Sequence, residues 1–285
     1  MKPNVIKSTV LSALILWGAV SLHAQTSHEF SLSGFGSFFG LNYKVTEGSR
    51  QNGFDGGGEF SYHLFFHPHW GMRIGVEAAF LSSKYSSDGI TLSYMTKDMN
   101  GANFEFRSTA GNYQETQKTM LLQIPLMFQF QTKGKNRYYL ALGGKVGIPV
   151  IAKYKTADVT IQNTAYYEFE GYEYTTQHFM GFGEFELPAD VKKMSFKPAF
   201  MLSAETGGKF FVSDVVGLFF GVYFDFGLNN IAKIPEALEF IAYNPQNPTD
   251  FTQNSILNSQ IAKSITDKVI PMAVGLKFGL MFRTR

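Results

Sequence analysis

Nine charged side chains share one position: each falls on the small-residue side of a segment whose other side is large and apolar. They are Glu59, Arg73, Glu77, Lys145, Lys153, Lys197, Glu205, Asp225 and Lys277, five basic and four acidic. Charges of both signs that point into one enclosed space pair, because a lone buried charge is costly. The chemistry expected of them is therefore a mutual ion-pair network that holds a structure shut. A proton or ion path is the weaker alternative. The chain shows no nucleophile elbow, no His-Glu-x-x-His and no glycine-rich phosphate loop. Gly56-Gly57-Gly58 lies inside a strand pattern, where it permits a bend or close packing rather than a phosphate cradle. His63, His67 and His69 gather near one turn, a spacing at which imidazoles can hold a metal. Pro68 constrains that turn and no carboxylate lies beside it, so an interfacial turn is expected, with no metal and no cofactor. A rim hydrolase would need His178 to meet Ser195 or Glu184 through an unknown loop fold; no catalytic residue is assigned and an enzyme is not expected. The chain has no cysteine, which excludes disulfides, thiolate metal sites and cysteine nucleophiles.

The elements that carry these charges read as β-strands. Near the end of the chain, Ile270, Met272, Val274, Leu276, Phe278, Leu280 and Phe282 alternate with Ala273, Gly275, Lys277, Gly279, Met281 and Arg283. A period of two means a strand, and about ten such residues cross a bilayer within a barrel. The same pattern appears in 137–154 and 217–228, and in 70–85 with Met72, Ile74, Val76 and Phe80 on the large side. Eight strands are expected, at 29–45, 54–66, 70–85, 118–131, 137–154, 195–210, 217–228 and 268–283. In the first, the large residues switch parity between Leu32 and Phe35, which a bulge would repair. Alternation at Ile90, Leu92, Tyr94, Phe104 and Phe106 adds a hairpin above strands three and four, or two more strands for a total of ten. The expected fold is all-β, a transmembrane antiparallel up-and-down barrel.

The connections support that fold. Those at 67–69, 133–136 and 212–216 are short, while 46–53, 86–117, 155–194 and 229–267 are long. Short turns at one end and long loops at the other are typical of outer-membrane barrels, and with the N-terminus in the periplasm the long loops face outward. A soluble lipocalin-like barrel also alternates, but its outer face would be polar. Here the polar set is mostly glycine and alanine, and aromatic residues crowd the strand ends like two interfacial girdles.

Residues 1–24 read as a secretory signal peptide, with Lys2 and Lys7 before a short apolar run and cleavage after Ala24, leaving 25–285 as the barrel domain. Without it the chain holds 23 basic and 23 acidic residues, which argues against a nucleic-acid partner. The loops are the expected contact surface. Tyr166, Tyr167, Phe169, Tyr172 and Tyr174 crowd the third long loop and suit a protein or glycan partner, or else form a β-extension packed on a neighbouring hairpin. In the fourth, Pro235 ahead of 236–240 and the stripe Ile256, Leu257, Ile261 and Ile265 suggest short helices.

Two stretches carry a family resemblance: Leu122-Gln123-Ile124-Pro125-Leu126 and the run 138–150, Tyr-Tyr-Leu-Ala-Leu-Gly-Gly-Lys-Val-Gly-Ile-Pro-Val. With Val274-Gly275-Leu276-Lys277-Phe278-Gly279-Leu280, they make the chain resemble the outer-membrane β-barrel proteins of Bacteroidetes, including the PorT-like group. The resemblance implies an integral outer-membrane protein, surrounded by outer-membrane lipid and folded by the barrel-assembly machinery. It implies no single activity and transfers no catalytic residue. The expectation is a closed, monomeric, non-enzymatic barrel with a structural or surface-interaction role. Its alternatives are a component of an envelope or protein-secretion machine, then a rim hydrolase, then a small-solute pore.

Overall fold

The computed structural model describes residues 26–284; segment 1–24, expected from the sequence to be a signal peptide, lies outside them. Eight long strands close into one antiparallel barrel: β1 (Ser27–Asn42), β3 (Phe54–Phe65), β4 (Trp70–Lys97), β5 (Asn103–Gln131), β6 (Asn136–Thr156), β11 (Ala199–Phe211), β12 (Val216–Gly227) and β15 (Ile270–Thr284). Each pairs with the next in that order, and β15 returns to β1. Closure leaves no unpaired sheet edge around the ring, as a lipid-facing sheet requires. The strands form because their alternation suits a pleated wall with an apolar outside: Ile74, Val76, Leu126, Phe128, Leu276 and Phe278 all face outward. Eight strands leave an interior just wide enough for side chains to fill.

Ile90–Phe106 does not add barrel strands. β4 and β5 run on together past the barrel as one hairpin, from the Tyr85–Glu115 pair up to Lys97–Asn103. β7 (Val159–Tyr167) extends the line of β6 and pairs with β5 above the barrel, flanked by β8 (Tyr172–Tyr174) and β9 (Gly183–Leu187). The tyrosine-rich loop is thus a β-extension on the neighbouring hairpin. Two short strands, β2 (Ser49–Asn52) and β10 (Val191–Lys193), brace the upper edges of β4 and β6, and β13 (Ile241–Ala242) pairs with β14 (Thr252–Gln253) within the fourth long loop.

The first strand needs no repair. β1 pairs with β3 and with β15 in unbroken register from Phe30 to Phe38, so Phe35 points into the barrel beside Tyr223, at 5.5 Å between ring centroids. Gly57 makes room for it: a Cβ there would lie 2.5 Å from Phe35 Cζ. The glycine triplet serves close packing.

The fourth long loop folds down over the barrel mouth. Phe240, Ile241, Ile256, Leu257 and Ile265 are buried among Tyr43, Tyr85, Ile90, Phe104, Tyr113 and Tyr154 of the upper wall. Among the described residues this aromatic core has no counterpart at the other end, where Tyr139, Phe219 and Met281 form only a small cluster. Segment 235–240 is a turn closed by Leu238 N–H to the Pro235 carbonyl, not a helix. Helix formation needs several turns to repay nucleation, and Leu238–Ile241 is drawn into the cap instead. The one α-helical element in the loop is a single turn, α1 (Ala262–Ile265). Among the described residues no helix is long and apolar enough to cross a membrane.

Candidate functional site

Seven of the nine charges meet inside the barrel, because strand alternation turns each inward: Glu59 on β3, Arg73 and Glu77 on β4, Lys145 on β6, Glu205 on β11, Asp225 on β12 and Lys277 on β15. None is more than 4% exposed. Arg73 clamps Glu205 with two parallel bonds, 3.0 Å from Nη1 to Oε1 and 2.7 Å from Nη2 to Oε2. Such bidentate pairing fixes geometry as well as charge. Glu205 also accepts from Tyr139 Oη at 2.8 Å and from Lys277 Nζ at 3.0 Å. Gly221 lets the tyrosine reach it, since a Cβ at that position would overlap Tyr139 Oη. Register sets Glu59 directly opposite Glu77, an unfavourable like-charge pair on its own. Lys277 answers it, 2.6 Å from Glu59 and 3.9 Å from Glu77. Above, Lys145 Nζ donates to both Glu77 oxygens, at 3.0 and 2.9 Å, and to Asp225 at 2.8 Å.

Lys153 and Lys197 do not join them. On β6 the pairing slips between Met120–Ile151 and Leu121–Pro149, so Val150 is an extra residue and both Val150 and Ile151 face outward. This bulge reverses the parity beyond it, and Lys153 emerges on the outer wall. Lys197 precedes the strand: Pro198 interrupts the pattern, β11 begins at Ala199, and the exposed Lys197 bonds through its N–H to the Ile231 carbonyl.

A second tier lies toward the short turns and was missed in the sequence. Glu29 is fully buried under Lys209 at 2.9 Å, Arg283 at 3.0 Å and Arg137 at 3.6 Å. Lys209 also donates to Gln131, and its ammonium sits 5.0 Å from the Phe65 ring centroid. His63 belongs to this tier, bonded to Ser31 at 3.0 Å and Gln129 at 3.0 Å, while His67 and His69 stay at the turn. The three histidines therefore do not converge. Parity held the signal: Glu29, His63, Lys209 and Arg283 share the inward phase of Ser33, Glu59, Glu205 and Lys277. In sequence His63 reads as part of an interfacial turn, and Glu29, Lys209 and Arg283 lie outside the nine charges expected in the lumen.

At the mouth, Glu115 anchors the cap. It accepts from Ser255 Oγ at 2.5 Å, Ile256 N–H at 3.0 Å, Gln117 Nε2 at 2.8 Å and the Tyr113 hydroxyl. Burial outweighs these donors and raises its carboxyl above the usual range; burial and the adjacent Glu115 push the Tyr113 phenol well up. Tyr154 Oη bonds the Gln253 carbonyl and Tyr94 Oη the Ile241 carbonyl, each at 3.0 Å.

The aromatic run of the third loop divides. Tyr167 is buried, stacked on Phe104 at 5.1 Å, and its hydroxyl donates to Asp98 in the hairpin tip. It is thus no surface contact. Tyr166 is half-buried under Arg107, and Tyr174 is half-buried. Phe169 and Tyr172 are open, at 76% and 57% exposure. His178 packs on Phe185 at 5.3 Å, and among the described residues it forms no ion pair with Glu184 and no hydrogen bond with Ser195.

The model of the outer membrane protein beta-barrel domain matches residues 23–233, most of the strands just described. The chain belongs to that family. It is an outer-membrane β-barrel protein, and β15, beyond the matched span, completes the ring. No curated protein matches the chain. Among solved structures it is similar to OprG of Pseudomonas aeruginosa, at 11% identity and a TM-score of 0.38, covering 93% of this chain and 99% of that one. It is similar also to the neisserial surface protein NspA, at 10% identity and 0.32, covering 89% and 96%. A third is Ail, the attachment invasion locus protein of Yersinia pestis, at 12% identity and 0.29, covering 90% and 99%, in a complex with the heparin analogue sucrose octasulfate.

Proposed function

We propose that this protein is a closed, non-enzymatic barrel that carries a contact surface on its outer loops. The observation behind the proposal lies at the far end of the third-loop extension. There Tyr167 is anchored on Phe104 and Asp98, while the turn just beyond it presents Phe169 and Tyr172 to solvent. Aromatic side chains held on a rigid scaffold give contact area at low entropic cost. The lumen contributes rigidity: the void beside Phe35, Glu77, Tyr223 and Asp225 measures about 10 Å³, room for one water at most. The short turns then lie in the periplasm, and the extension stands clear of the outer leaflet to meet an extracellular protein or glycan.

A photoreactive residue at 169 or 172 in intact cells, followed by purification of crosslinked products, tests this reading. A discrete adduct that disappears in a Phe169→Ser, Tyr172→Ser variant supports it. Labelling no stronger than at an exposed site of β2 would sink it. The PorT-like resemblance of 122–126 and 138–150 favours a narrower reading, a component of an envelope or secretion machine. In that case the adduct is a stoichiometric envelope protein, and deletion impairs secretion.

A further inference from the structure

The lysine that the bulge expels is one of a set. On the outer wall, at the loop end of the apolar belt, three rows cross adjacent strands. The lowest is Phe80, Met120 and Ile151, each directly opposite the next. Above it, Ser82 faces Lys118, Lys118 faces Lys153, and Lys153 faces Lys193 on β10. Above that, Thr116 lies between Lys84 and Lys155. All five lysines are exposed, and among the described residues none is in an ion pair. The nearby carboxylate Asp190 is engaged by Lys192 at 3.4 Å and by the Val191 N–H. The rows frame a groove of about 780 Å³, with Phe54, Phe80, Met120 and Ile151 on its apolar side and four of the lysines on the other.

Two features make this more than a solvated rim. Lysines directly opposite one another repel, and here three stand in line with no acid between them in a domain whose overall charge is balanced. Strands lie about 4.8 Å apart and alternate residues about 6.8 Å along a strand. The Cα atoms of Lys84, Lys118, Lys153 and Lys155 therefore lie about 5–12 Å apart, within reach for long, flexible side chains to meet on one phosphate. The groove also continues the bilayer-facing belt, so a ligand there reaches apolar wall and cationic rim together.

We propose that this groove binds an acylated lipid of the outer leaflet through the phosphate on its headgroup. The chains lie on Phe54, Phe80, Met120 and Ile151, and the lysine quadrilateral takes the phosphate. The placement rests on the outward orientation proposed above. Binding measured in detergent does not, so an inverted barrel would still bind and the two failures are distinguishable.

The test uses the folded full-length mature chain in a non-ionic detergent, with native mass spectrometry as the readout. The probes are bisphosphorylated lipid A, the same lipid stripped of phosphate, and inorganic phosphate alone. The intact lipid should bind at least tenfold tighter than either of the others. Lys118→Gln with Lys153→Gln should weaken it about 30-fold, equivalent to about 2 kcal/mol at 1.4 kcal/mol per tenfold, the size expected for two lysines at a phosphate surface. Lys133→Gln with Lys135→Gln, at the opposite end, should change nothing. If the double variant does not fold, Lys118→Arg with Lys153→Arg should bind normally and the wild-type comparison of probes decides. Equal binding of the dephosphorylated lipid would overturn the proposal. Inorganic phosphate binding as well as the lipid would reduce the groove to a bare anion site. No lipid binding at all would leave the lysines to an acidic protein partner and also end the claim.

Discussion

Replacing Glu205 with glutamine should expose how much the luminal network contributes. The substitution keeps the shape of the side chain and removes its charge. In the native barrel Glu205 accepts two bonds from Arg73, one from Lys277 and one from Tyr139. After the change, Arg73 faces an amide N–H₂ where it had an oxygen, and its remaining carboxylate, Glu59, is 3.8 Å away. Removing one partner of a buried ion pair costs about 3–5 kcal/mol, because the other charge stays behind in a low dielectric. At a urea slope of about 2 kcal/mol/M the midpoint should fall by roughly 2 M. Trp70 lies on the outer wall against Phe128 at 5.2 Å, and it is the one tryptophan among the described residues. Its fluorescence in refolded, vesicle-inserted protein is therefore a clean reporter. Arg73→Gln in the same chain should recover part of the loss, and the double-mutant cycle should show coupling of about 1–3 kcal/mol. A Glu205→Gln midpoint within about 0.3 M of wild type would refute the reasoning, since it would mean that water already shields these charges.

Three further outcomes are expected. Gly57→Val should prevent stable folding, because its side chain would occupy the space of the Phe35 ring and meet the Ala78 carbonyl; heat-modifiable migration on a gel reports it, and a variant as stable as wild type would contradict the packing. The cap should be tighter in acid: the folded-state pKa of Glu115 is raised, so the stability it contributes is present below the unfolded value and lost as pH rises through the folded one. Hydrogen-exchange protection of the Ile256 amide, corrected for intrinsic rate, should then decline from pH 4 to pH 8 in wild type and stay flat in Glu115→Gln. Arg107→Ala should leave the urea midpoint unchanged, because its pairs with Glu105 and Glu173 are solvent-exposed; a clear fall in the midpoint would mean that the extension is coupled to the barrel.

The strands with uninterrupted parity were legible from the sequence. In 217–227 and 270–282 the outward phase is large and apolar without a break, even though Phe219, Tyr223 and Met281 also fill the inward phase, and there Asp225 and Lys277 face inward as expected. Legibility ended where parity changed for reasons outside the strand. The bulge at Val150 is a pairing event between β5 and β6, with two apolar residues to either side that look like ordinary wall. It alone separates Lys145 from Lys153. Phe35 misled in the opposite sense: a large residue in the small phase looked like a slip, and the space that accepts it belongs to Gly57 on the next strand. Glu29, Lys209 and Arg283 lay in the right phase but close to the turns, and only the assembled ring shows three cations converging on one carboxylate. The segment after Pro235 had helical composition, yet tertiary burial of Phe240 and Ile241 in the cap decided its conformation.

The most direct test of a lumen closed by its own ion pairs is conductance. Purified protein, refolded and inserted into a planar bilayer in 1 M KCl, should give no steady single-channel steps, with Lys145, Lys277 and Arg73 held against Glu59, Glu77, Glu205 and Asp225 across the bore. Reproducible unitary steps from the wild-type protein, absent from a mock preparation, would contradict that account.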